Sequence, residues 1–303
     1  MPCKNCREKP VIRLTNSNIE LCKSCFFKYF EKKVRKTISK YNLIEKKEKI
    51  AVACSGGKDS MSLLYLLNKL AKKREIEVVA VAIDEGIKNY RDLKYLKKYC
   101  KENNIEIHVS SFKNEFGFTL DQAVKKIKNI NPCSICGVLR RRLLNKAAHE
   151  LKADKLTTGH NMDDESQSVM MNYVRGNLER STRLGPITGI VKDKRFVPRI
   201  KPFYFLTEKE TATYAYLKQF PVKFIECPYS AISFRGEVRD LINSIEKNHP
   251  GTKHAIINSF LELLPALRNL YKESKVRTCI HCQEPSSGEI CNTCLIVNKL
   301  KNA

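Results

Sequence analysis

The sequence IAVACSGGKDS, residues 50–60, joins a wholly apolar pentapeptide to a polar loop with two adjacent glycines. The pentapeptide predicts a buried strand, and apolar residues at helical spacing follow from Ser60 to about Ala71. Two glycines let the backbone turn tightly and approach a ligand closely. The start of the helix offers free N–H groups and a partial positive charge, which suit an anion. The stretch therefore predicts a phosphate-binding loop, although a polar cap on an ordinary strand-to-helix turn is the alternative.

Strands and helices alternate beyond this loop. Further strands are predicted at 78–83, 105–109 and 155–158, and helices at about 90–102 and 138–151. Strands that alternate with helices of this length indicate βαβ units, and hence a parallel sheet covered on both faces. After Pro202 the alternation weakens into helical pieces at about 207–220, 237–247 and 254–271. The predicted fold class is α/β, with a Rossmann-like parallel sheet.

The composition is that of a folded and strongly basic protein. The chain has 303 residues, 42% of them hydrophobic, which supports a core and excludes a disordered basic tail. No window approaches the ~18 apolar residues of a membrane span, and the N-terminus lacks the apolar stretch of a secretory signal. We therefore expect a cytoplasmic protein with no membrane partner. The formal net charge of +24 predicts a polyanionic partner, for which nucleic acid is favoured over a membrane surface.

Eight of the 13 cysteines form two quartets with CxxC…CxxC spacing near the two ends of the chain. In a reducing compartment such thiols are metal ligands more often than disulfides. Four thiolates with this spacing are typical of tetrahedral Zn²⁺, so we predict two Zn²⁺ sites that fold short segments and could also grip RNA. The predicted zinc ligands are Cys3, Cys6, Cys22 and Cys25 at one end and Cys279, Cys282, Cys291 and Cys294 at the other. These modules are expected to flank the sheet.

A third cysteine pair lies in CSIC at 133–136, ahead of three arginines at 140–142. A lone CxxC is compatible with a redox dithiol, half of a zinc site or two ligands of an iron–sulfur cluster. Cys227 lies far downstream, in the segment ECPYS. Buried packing is the simplest interpretation of Cys54 and Cys100, because they fall in strand and helix patterns.

The segment GHNMDDESQ, residues 159–167, follows the predicted strand at 155–158. A glycine at a strand end allows a nucleotide to approach closely. The paired carboxylates Asp163 and Asp164 can hold Mg²⁺. Helix N-capping is the common alternative for these aspartates, and both interpretations can hold together.

SGGKDS after the first strand resembles the signature of the PP-loop ATP pyrophosphatases, and GHNxDD is similar to the pattern in PP-loop enzymes that modify tRNA. The two quartets, PCSxCG at 132–137, ECPYS at 226–230 and DEGI at 84–87 extend the likeness. Together these motifs resemble the tRNA 2-thiouridine synthetases of the TtuA type and the related cytoplasmic tRNA thiouridylases. The resemblance covers nearly the whole chain. It implies an ATP-dependent tRNA sulfurtransferase that adenylates uridine at C2, releases pyrophosphate and replaces the oxygen with sulfur.

The resemblance also implies a [4Fe–4S] cluster bound by Cys133, Cys136 and Cys227, with its fourth iron open to exogenous sulfide. Catalytic roles are implied for these cysteines and for Lys58, Asp59 and Asp164. Arg140 is a candidate to face the ATP phosphates, and Arg141 or Arg142 to contact tRNA. Contacts with ATP and Mg²⁺ are implied for Ala53, Cys54, Ser55, Gly56, Gly57, Lys58, Asp59, Ser60, Ile83, Arg140, Gly159 and Asp164. The implied partners are tRNA, either sulfide or a ubiquitin-like thiocarboxylate carrier, and a second copy in a homodimer.

Three alternatives remain open from the sequence. A persulfide-based tRNA thiolase would use Cys136 and Cys227 without a cluster, whereas another PP-loop activity, such as lysidine or amide synthesis, would need no cysteine trio. A zinc-ribbon RNA-binding protein would not be an enzyme. The predicted domains are an N-terminal zinc module (1–30), a basic linker helix (31–48), a PP-loop ATP-binding catalytic domain (49–205), a helical extension that carries Cys227 (206–274) and a C-terminal zinc module (275–303).

Overall fold

The computed structural model describes residues 2–127, 131–188, 195–222, 227–229, 233–271 and 276–302. Glu226 and Ser230 of the ECPYS segment lie outside these ranges, whereas Cys227 lies within them. Across the described ranges, no helix combines the length and the apolar character that a membrane crossing requires.

A mostly parallel sheet forms the centre of the fold. The strands are β1 (Ile12–Arg13), β2 (Glu20–Leu21), β3 (Lys49–Ala53), β4 (Glu77–Asp84), β5 (Glu106–Ser111), β6 (Lys155–Thr157), β7 (Ile187–Thr188), β8 (Arg199–Ile200), β9 (Arg277–Thr278) and β10 (Pro285–Ser286). Six of them form the central sheet in the order β5-β4-β3-β6-β8-β7, with only β7 antiparallel to its neighbour. The predicted α/β class is therefore confirmed, and the glycine loop follows the interior strand β3.

Helices connect and cover these strands. They are α1 (Lys23–Lys40), α2 (Lys58–Arg74), α3 (Lys94–Glu102), α4 (Phe112–Phe116), α5 (Leu120–Lys126), α6 (Pro132–Glu150), α7 (Met162–Val174), α8 (Leu178–Ser181), α9 (Glu208–Leu217), α10 (Phe234–Asn248), α11 (Thr252–Leu270) and α12 (Asn292–Lys301). Most predicted helices lie within a few residues of these bounds.

The prediction that a helix begins only after Cys136 is wrong, because α6 already begins at Pro132. Proline suits the first helical position, where its missing N–H would have no partner. Asn131 caps the helix, since its side-chain oxygen accepts from the Cys133 N–H at 2.8 Å. Cys133 and Cys136 therefore lie one turn apart on the first turns of a helix.

The sheet is covered on both faces, as its parallel pairing requires. Alternate residues of β3 point to opposite sides, so Ile50 and Val52 join one core and Ala51 joins the other. The first core, under α1, α2 and α9, contains the fully buried rings of Phe26, Phe30, Phe203 and Tyr214. The second core, under α6 and α12, contains Leu139, Leu143, Leu156 and Ile296.

The two cysteine quartets are docked on these opposite faces. Cys3 and Cys22 are buried in the first core, and α1 runs from the N-terminal quartet into it. At the other end, Ile296 of α12 joins the second core, and Arg142 of α6 forms an ion pair with Glu284. The helix that follows each quartet thus fixes it to the sheet.

Candidate active site

The glycine loop after β3 is folded by hydrogen bonds within SGGKDS. Gly56 has a φ of 76°, a left-handed conformation that favours glycine. The Ser55 N–H donates to Ser60 Oγ (3.2 Å), and the Ser60 hydroxyl donates to the Gly57 carbonyl (3.0 Å). α2 then begins at Lys58, directly after Gly57. The loop therefore sets the first N–H groups of α2 at the carboxyl edge of the sheet, an arrangement that binds anions.

Lys58 lies between two carboxylates at this edge. Its Nζ is 2.7 Å from Asp59 Oδ2 and 3.2 Å from Glu208 Oε1. Burial disfavours the ammonium, but Asp59 and Glu208 outweigh it, so the pKa of Lys58 is raised above its ordinary value. The ammonium is therefore charged at neutral pH and suited to a phosphate.

Gly159 brings the end of β6 directly against the start of α2. A Cβ at this position would lie 3.0 Å from the Asp59 carbonyl carbon and 3.1 Å from the Ser60 nitrogen. In addition, Asn161 Nδ2 donates to Asp59 Oδ1 at 3.5 Å. The GHN turn and the SGGKDS loop therefore form one continuous site.

Asp163 and Asp164 play different parts. Asn161 and Asp164 form a capping box at the start of α7, in which Asp164 Oδ2 accepts from the Asn161 N–H at 3.1 Å. Asp163 instead accepts from the Glu208 N–H (2.8 Å) and pairs with the Lys253 ammonium. The capping interpretation thus holds for Asp164, while Asp163 ties α7 to α11.

Asp164 faces Asp59 across the site. Burial raises the pKa of Asp164, and the neighbouring Asp59 carboxylate acts in the same direction. Two carboxylates close enough to disfavour each other's charge can share a divalent cation. Asn161 contacts both of these carboxylates, whereas Asp163 is paired with Lys253, so Asp59 and Asp164 are the better candidate pair for Mg²⁺.

A cavity of about 540 Å³ opens beside the loop, at the carboxyl ends of β4 and β5. Ile83, one of the predicted nucleotide contacts, lines it. Leu93 also lines it and lies against the loop, since a Cβ on Gly56 would be 3.9 Å from Leu93 Cδ2. The volume is in the range of small-ligand pockets. Its basic lining residues were not predicted from sequence, and they are Arg91, Lys94, Lys97 and Lys113.

The structure brings Cys227 next to Cys133 and Cys136. The Cys133 thiol is 3.7 Å from the Tyr229 carbonyl oxygen, and the Tyr229 hydroxyl donates to Asp121 at 2.6 Å. Burial, with a contribution from the nearby Cys227, raises the pKa of Cys136 to about 11, and the same two causes raise the pKa of Cys133. Cys133 is exposed and the other two are half-buried, so the group is open to solvent on one side.

Arg235 lies between the cysteine trio and the first turns of α7. It donates to the Asp164 carbonyl at 3.2 Å and to Gln167 Oε1 at 3.1 Å. Its positive charge also favours the thiolate of Cys133. The trio and Asp164 therefore lie at the same edge of the sheet.

Arg140 and Arg91 place two further cations beside the trio. Both pair with the buried carboxylate of Glu85, Arg91 at 2.9 Å and Arg140 at 3.5 Å. Both also favour the thiolate of Cys136. Glu85 thus holds Arg140 near Cys136, while its predicted contact with the ATP phosphates stays a prediction.

Each quartet brings its four thiols around one point. Among the described residues, these are the groups of three or more His, Cys, Asp or Glu whose ligand atoms all lie within 4.8 Å of one another. Cys6 Sγ is 3.3 Å from Cys22 Sγ, and Cys282 Sγ is 3.6 Å from Cys291 Sγ. Four thiolates on one tetrahedral Zn²⁺ lie roughly 3.8 Å apart. Both quartets could therefore bind a metal ion of this kind.

Sequence reasoning missed several side chains of this site because their partners are remote in the chain. Arg235 is 71 residues from Asp164, and Lys253 is 90 residues from Asp163. Glu85 lies within the DEGI motif, but no pattern assigns it to two arginines. The available signal was the acidic pair Asp84–Glu85 at the carboxyl end of the apolar strand β4.

Comparison with known proteins identifies the family of the chain. Residues 28–231 match the family described as PP-loop domain. The chain is 35% identical to the tRNA 2-thiolation protein NcsA of Haloferax volcanii, over 99% of this chain and 99% of that protein. It is 33% identical to the tRNA-5-methyluridine(54) 2-sulfurtransferase of Pyrococcus horikoshii, over 97% of this chain and 93% of that protein.

A solved structure extends the likeness to the whole chain. The U34-tRNA thiolase NcsA from Methanococcus maripaludis with its [4Fe-4S] cluster matches with a TM-score of 0.83 and 35% identity, covering 100% of this chain and 96% of that one. The alignment therefore spans the segments that carry the terminal quartets and the cysteine trio, as well as the sheet. The chain belongs to the NcsA and TtuA type of tRNA 2-thiolation proteins, within the PP-loop family.

Proposed function

We propose that the chain is an ATP-dependent tRNA uridine 2-sulfurtransferase that adenylates the uridine at C2 and replaces its oxygen with sulfur. One observation carries the proposal: the nucleotide loop and the cysteine trio meet at one sheet edge, where Arg235 lies beside both Asp164 and Cys133. A uridine activated at the loop would therefore lie beside the cysteines. The names of the homologous thiolases support the same reaction class.

The loop supplies the groups that adenylation needs. The N–H groups at the start of α2, with Lys58 and the Ser55 and Ser60 hydroxyls, would bind the phosphates. The cavity at the ends of β4 and β5 would hold the adenosine. Asp59 and Asp164 would hold Mg²⁺, whose charge offsets that of the phosphates. The uridine oxygen then attacks the α-phosphorus and pyrophosphate leaves, so the protein contributes positioning and charge neutralisation.

The sulfur step is balanced without a redox partner. A sulfide nucleophile adds to C2, the C2–O bond breaks, and AMP departs with the original oxygen. Arg140 lies beside Cys136, and Arg235 lies beside Cys133 and Asp164, where positive charges would stabilise the anionic transition state.

The three cysteines fit a [4Fe–4S] cluster better than a zinc ion. Unlike the thiols of either quartet, those of Cys133, Cys136 and Cys227 do not all lie within 4.8 Å of one another, a wider spacing than one zinc ion requires. Cys54 and Cys100 lie in the first core. When held by three cysteines, such a cluster supplies one iron without a protein ligand, which is a place for exogenous sulfide. The cluster in the M. maripaludis thiolase supports the assignment of Cys133, Cys136 and Cys227 as ligands.

A persulfide route would use the same cysteines differently. Sulfane sulfur on Cys136 or Cys227 would be transferred to C2, and the two cysteines would close a disulfide. Each turnover would then consume a reductant, whereas the route through sulfide would not. Dependence on iron or on reductant therefore separates the two.

Anaerobic reconstitution of the apoprotein with iron and sulfide tests the proposal. We expect a brown chromophore and ATP-dependent formation of 2-thiouridine in tRNA, both lost in Cys133→Ala, Cys136→Ala and Cys227→Ala. Cys100→Ala, a buried cysteine outside the site, is the matched control and should keep both. Full thiolation by Cys133→Ala would contradict the proposed ligand set. Turnover that needs reductant but no iron would identify the persulfide route instead.

The remaining assignments extend the proposal. The quartets would hold two Zn²⁺, whose binding would fold the modules at 1–30 and 275–303 onto the core at 49–205 and 206–274. Sulfide or a ubiquitin-like thiocarboxylate carrier would supply the sulfur. A homodimer stays a prediction. The net charge of +24 suits a large RNA substrate.

A further inference from the structure

Arg141 of α6 and Arg199 of β8 carry positive charges that no acidic residue of the described ranges pairs with. Among the described residues, neither guanidinium has an ion-pair partner, although Arg140 and Arg142 on either side of Arg141 pair with Glu85 and Glu284. Arg141 is exposed and Arg199 is half-buried. Arg141 therefore differs from the two arginines beside it on α6, and Arg199 on β8 is a second cation without an ion-pair partner among the described residues.

Asn145 fixes how α6 lies along β8. Its Nδ2 donates to the Arg195 carbonyl (3.0 Å), and its Oδ1 accepts from the Val197 N–H (3.1 Å). Arg141 lies one turn earlier on the same helix face, about 6 Å along the helix axis. Arg199 lies two residues further along the strand, about 6.6 Å away. Because helix and strand run in opposite directions, both steps lead the same way and bring the two arginines together.

Arg199 also points to the face that α6 covers. Its register partner on β6 is Leu156, and both Leu156 and Val197 belong to the second core under α6. Side chains two residues apart on a strand share a face. The guanidinium groups of Arg141 and Arg199 therefore approach each other at the carboxyl edge of the sheet.

The pair lies beside the cysteine trio. The Arg141 guanidinium lies over Gly137, where a Cβ would be 3.2 Å from Nη1. Gly137 directly follows Cys136. Three further arginines, Arg199, Arg140 and Arg180, lie close enough to disfavour the positive charge of Arg141. The cluster is thus a concentration of positive charge that a bound anion would relieve.

We propose that Arg141 and Arg199 bind a backbone phosphate of the RNA strand that carries the target uridine. This inference rests on the proposed function. Guanidinium groups bind phosphate oxygens through paired hydrogen bonds. The ATP phosphates are assigned to the loop after β3, and β8 lies two strands away, about 10 Å across the sheet. The uridine to be thiolated, in contrast, must lie beside Cys136, where this pair is found.

The test uses the full-length Arg141→Gln/Arg199→Gln variant with an unmodified tRNA transcript as the probe. Lys72→Ala/Lys73→Ala is the charge-matched control, because these lysines end α2 at the opposite edge of the sheet. We expect at least roughly tenfold weaker tRNA binding by the arginine variant, and a slope of log Kd against log salt reduced by about one to two. The control should stay close to wild type.

Two further measurements identify the ligand. The affinity for ATP should be unchanged in the arginine variant, and Arg141→Lys/Arg199→Lys should recover part of the tRNA affinity. Thermal melting checks that the variants fold, and the two single variants serve if the double variant does not. Equal tRNA affinity of the arginine variant and the wild type, or a loss of affinity for ATP only, would overturn the proposed phosphate site without affecting the proposed function. Failure of the wild type to bind tRNA would overturn the proposed function as well.

Discussion

A methyl group at Gly159 tests whether the GHN turn positions the nucleotide loop. The Cβ of Gly159→Ala would lie 3.0 Å from the Asp59 carbonyl carbon and 3.1 Å from the Ser60 nitrogen. These neighbours are backbone atoms at the start of α2, so they cannot rotate away as a flexible side chain would. The turn and the helix must therefore separate by a few tenths of an ångström.

Two effects of different size follow from that shift. Overpacking of a tight contact costs about 1–3 kcal/mol in the free energy of unfolding. Displacement of a positioned catalytic group by about 1 Å can lower a reaction rate about a hundredfold. The shift expected here is smaller and affects the phosphate-binding N–H groups, so it should lower tRNA-dependent pyrophosphate release roughly tenfold. The activity loss should thus exceed what the lost stability explains.

The assay measures urea unfolding and pyrophosphate release on the same preparation. Gly288→Ala is the control, because the nearest atom to its added Cβ is the Ile290 carbonyl oxygen at 3.9 Å. It should leave both quantities near wild type. Pyrophosphate release by Gly159→Ala at the wild-type rate would refute the packing of this turn against the loop.

Three further predictions concern charge and metal. Lys253→Met should lower the free energy of unfolding by about 3 kcal/mol, because it leaves Asp163 buried without its cation. In urea titrations, the double variant Asp163→Asn/Lys253→Met should recover part of this loss. An equal loss in the single and the double variant would contradict the pairing. Burial raises the pKa of Asp164 in the folded protein, so the ionised carboxylate lowers the free energy of unfolding at a pH above that pKa. Asp164→Asn should therefore be more stable than wild type at neutral pH, with a gain that shrinks as the pH falls through that pKa, while thiolation is lost. Removal of zinc by a chelator, or the Cys294→Ser substitution, should lower the melting temperature and expose apolar surface of α6 to a hydrophobic dye. Unchanged dye binding would contradict the docking of the C-terminal module on α6.

The local part of the fold was predictable because it depends on short-range patterns. The apolar run at 50–54 and the two glycines after it predict β3, the loop and α2, and the structure has them within a few residues. The two-residue strands β7 and β8 carry no usable periodicity, so they were missed. The sequence pattern predicts the start of α6 about six residues too late, because a proline at the first helical position adds nothing to the apolar periodicity.

The site was predictable only where its residues are close in sequence. The two quartets follow from spacing alone, and the structure gathers each around one point. Other contacts of the site join residues that are distant in the chain and meet only when it folds. They are the Asp163–Lys253 and Glu85–Arg140 ion pairs and the contact of the 227–229 segment with Cys133. No local pattern encodes these contacts.

The origin of the oxygen in AMP tests the proposed chemistry most directly. A tRNA labelled with ¹⁸O at C2 of the target uridine is incubated with reconstituted protein, ATP and sulfide, and AMP and nucleosides are analysed by mass spectrometry. We predict one ¹⁸O in AMP for each 2-thiouridine formed, because the adenylated oxygen leaves with AMP. Formation of 2-thiouridine together with AMP that takes its oxygen from water would contradict activation of the uridine by adenylation.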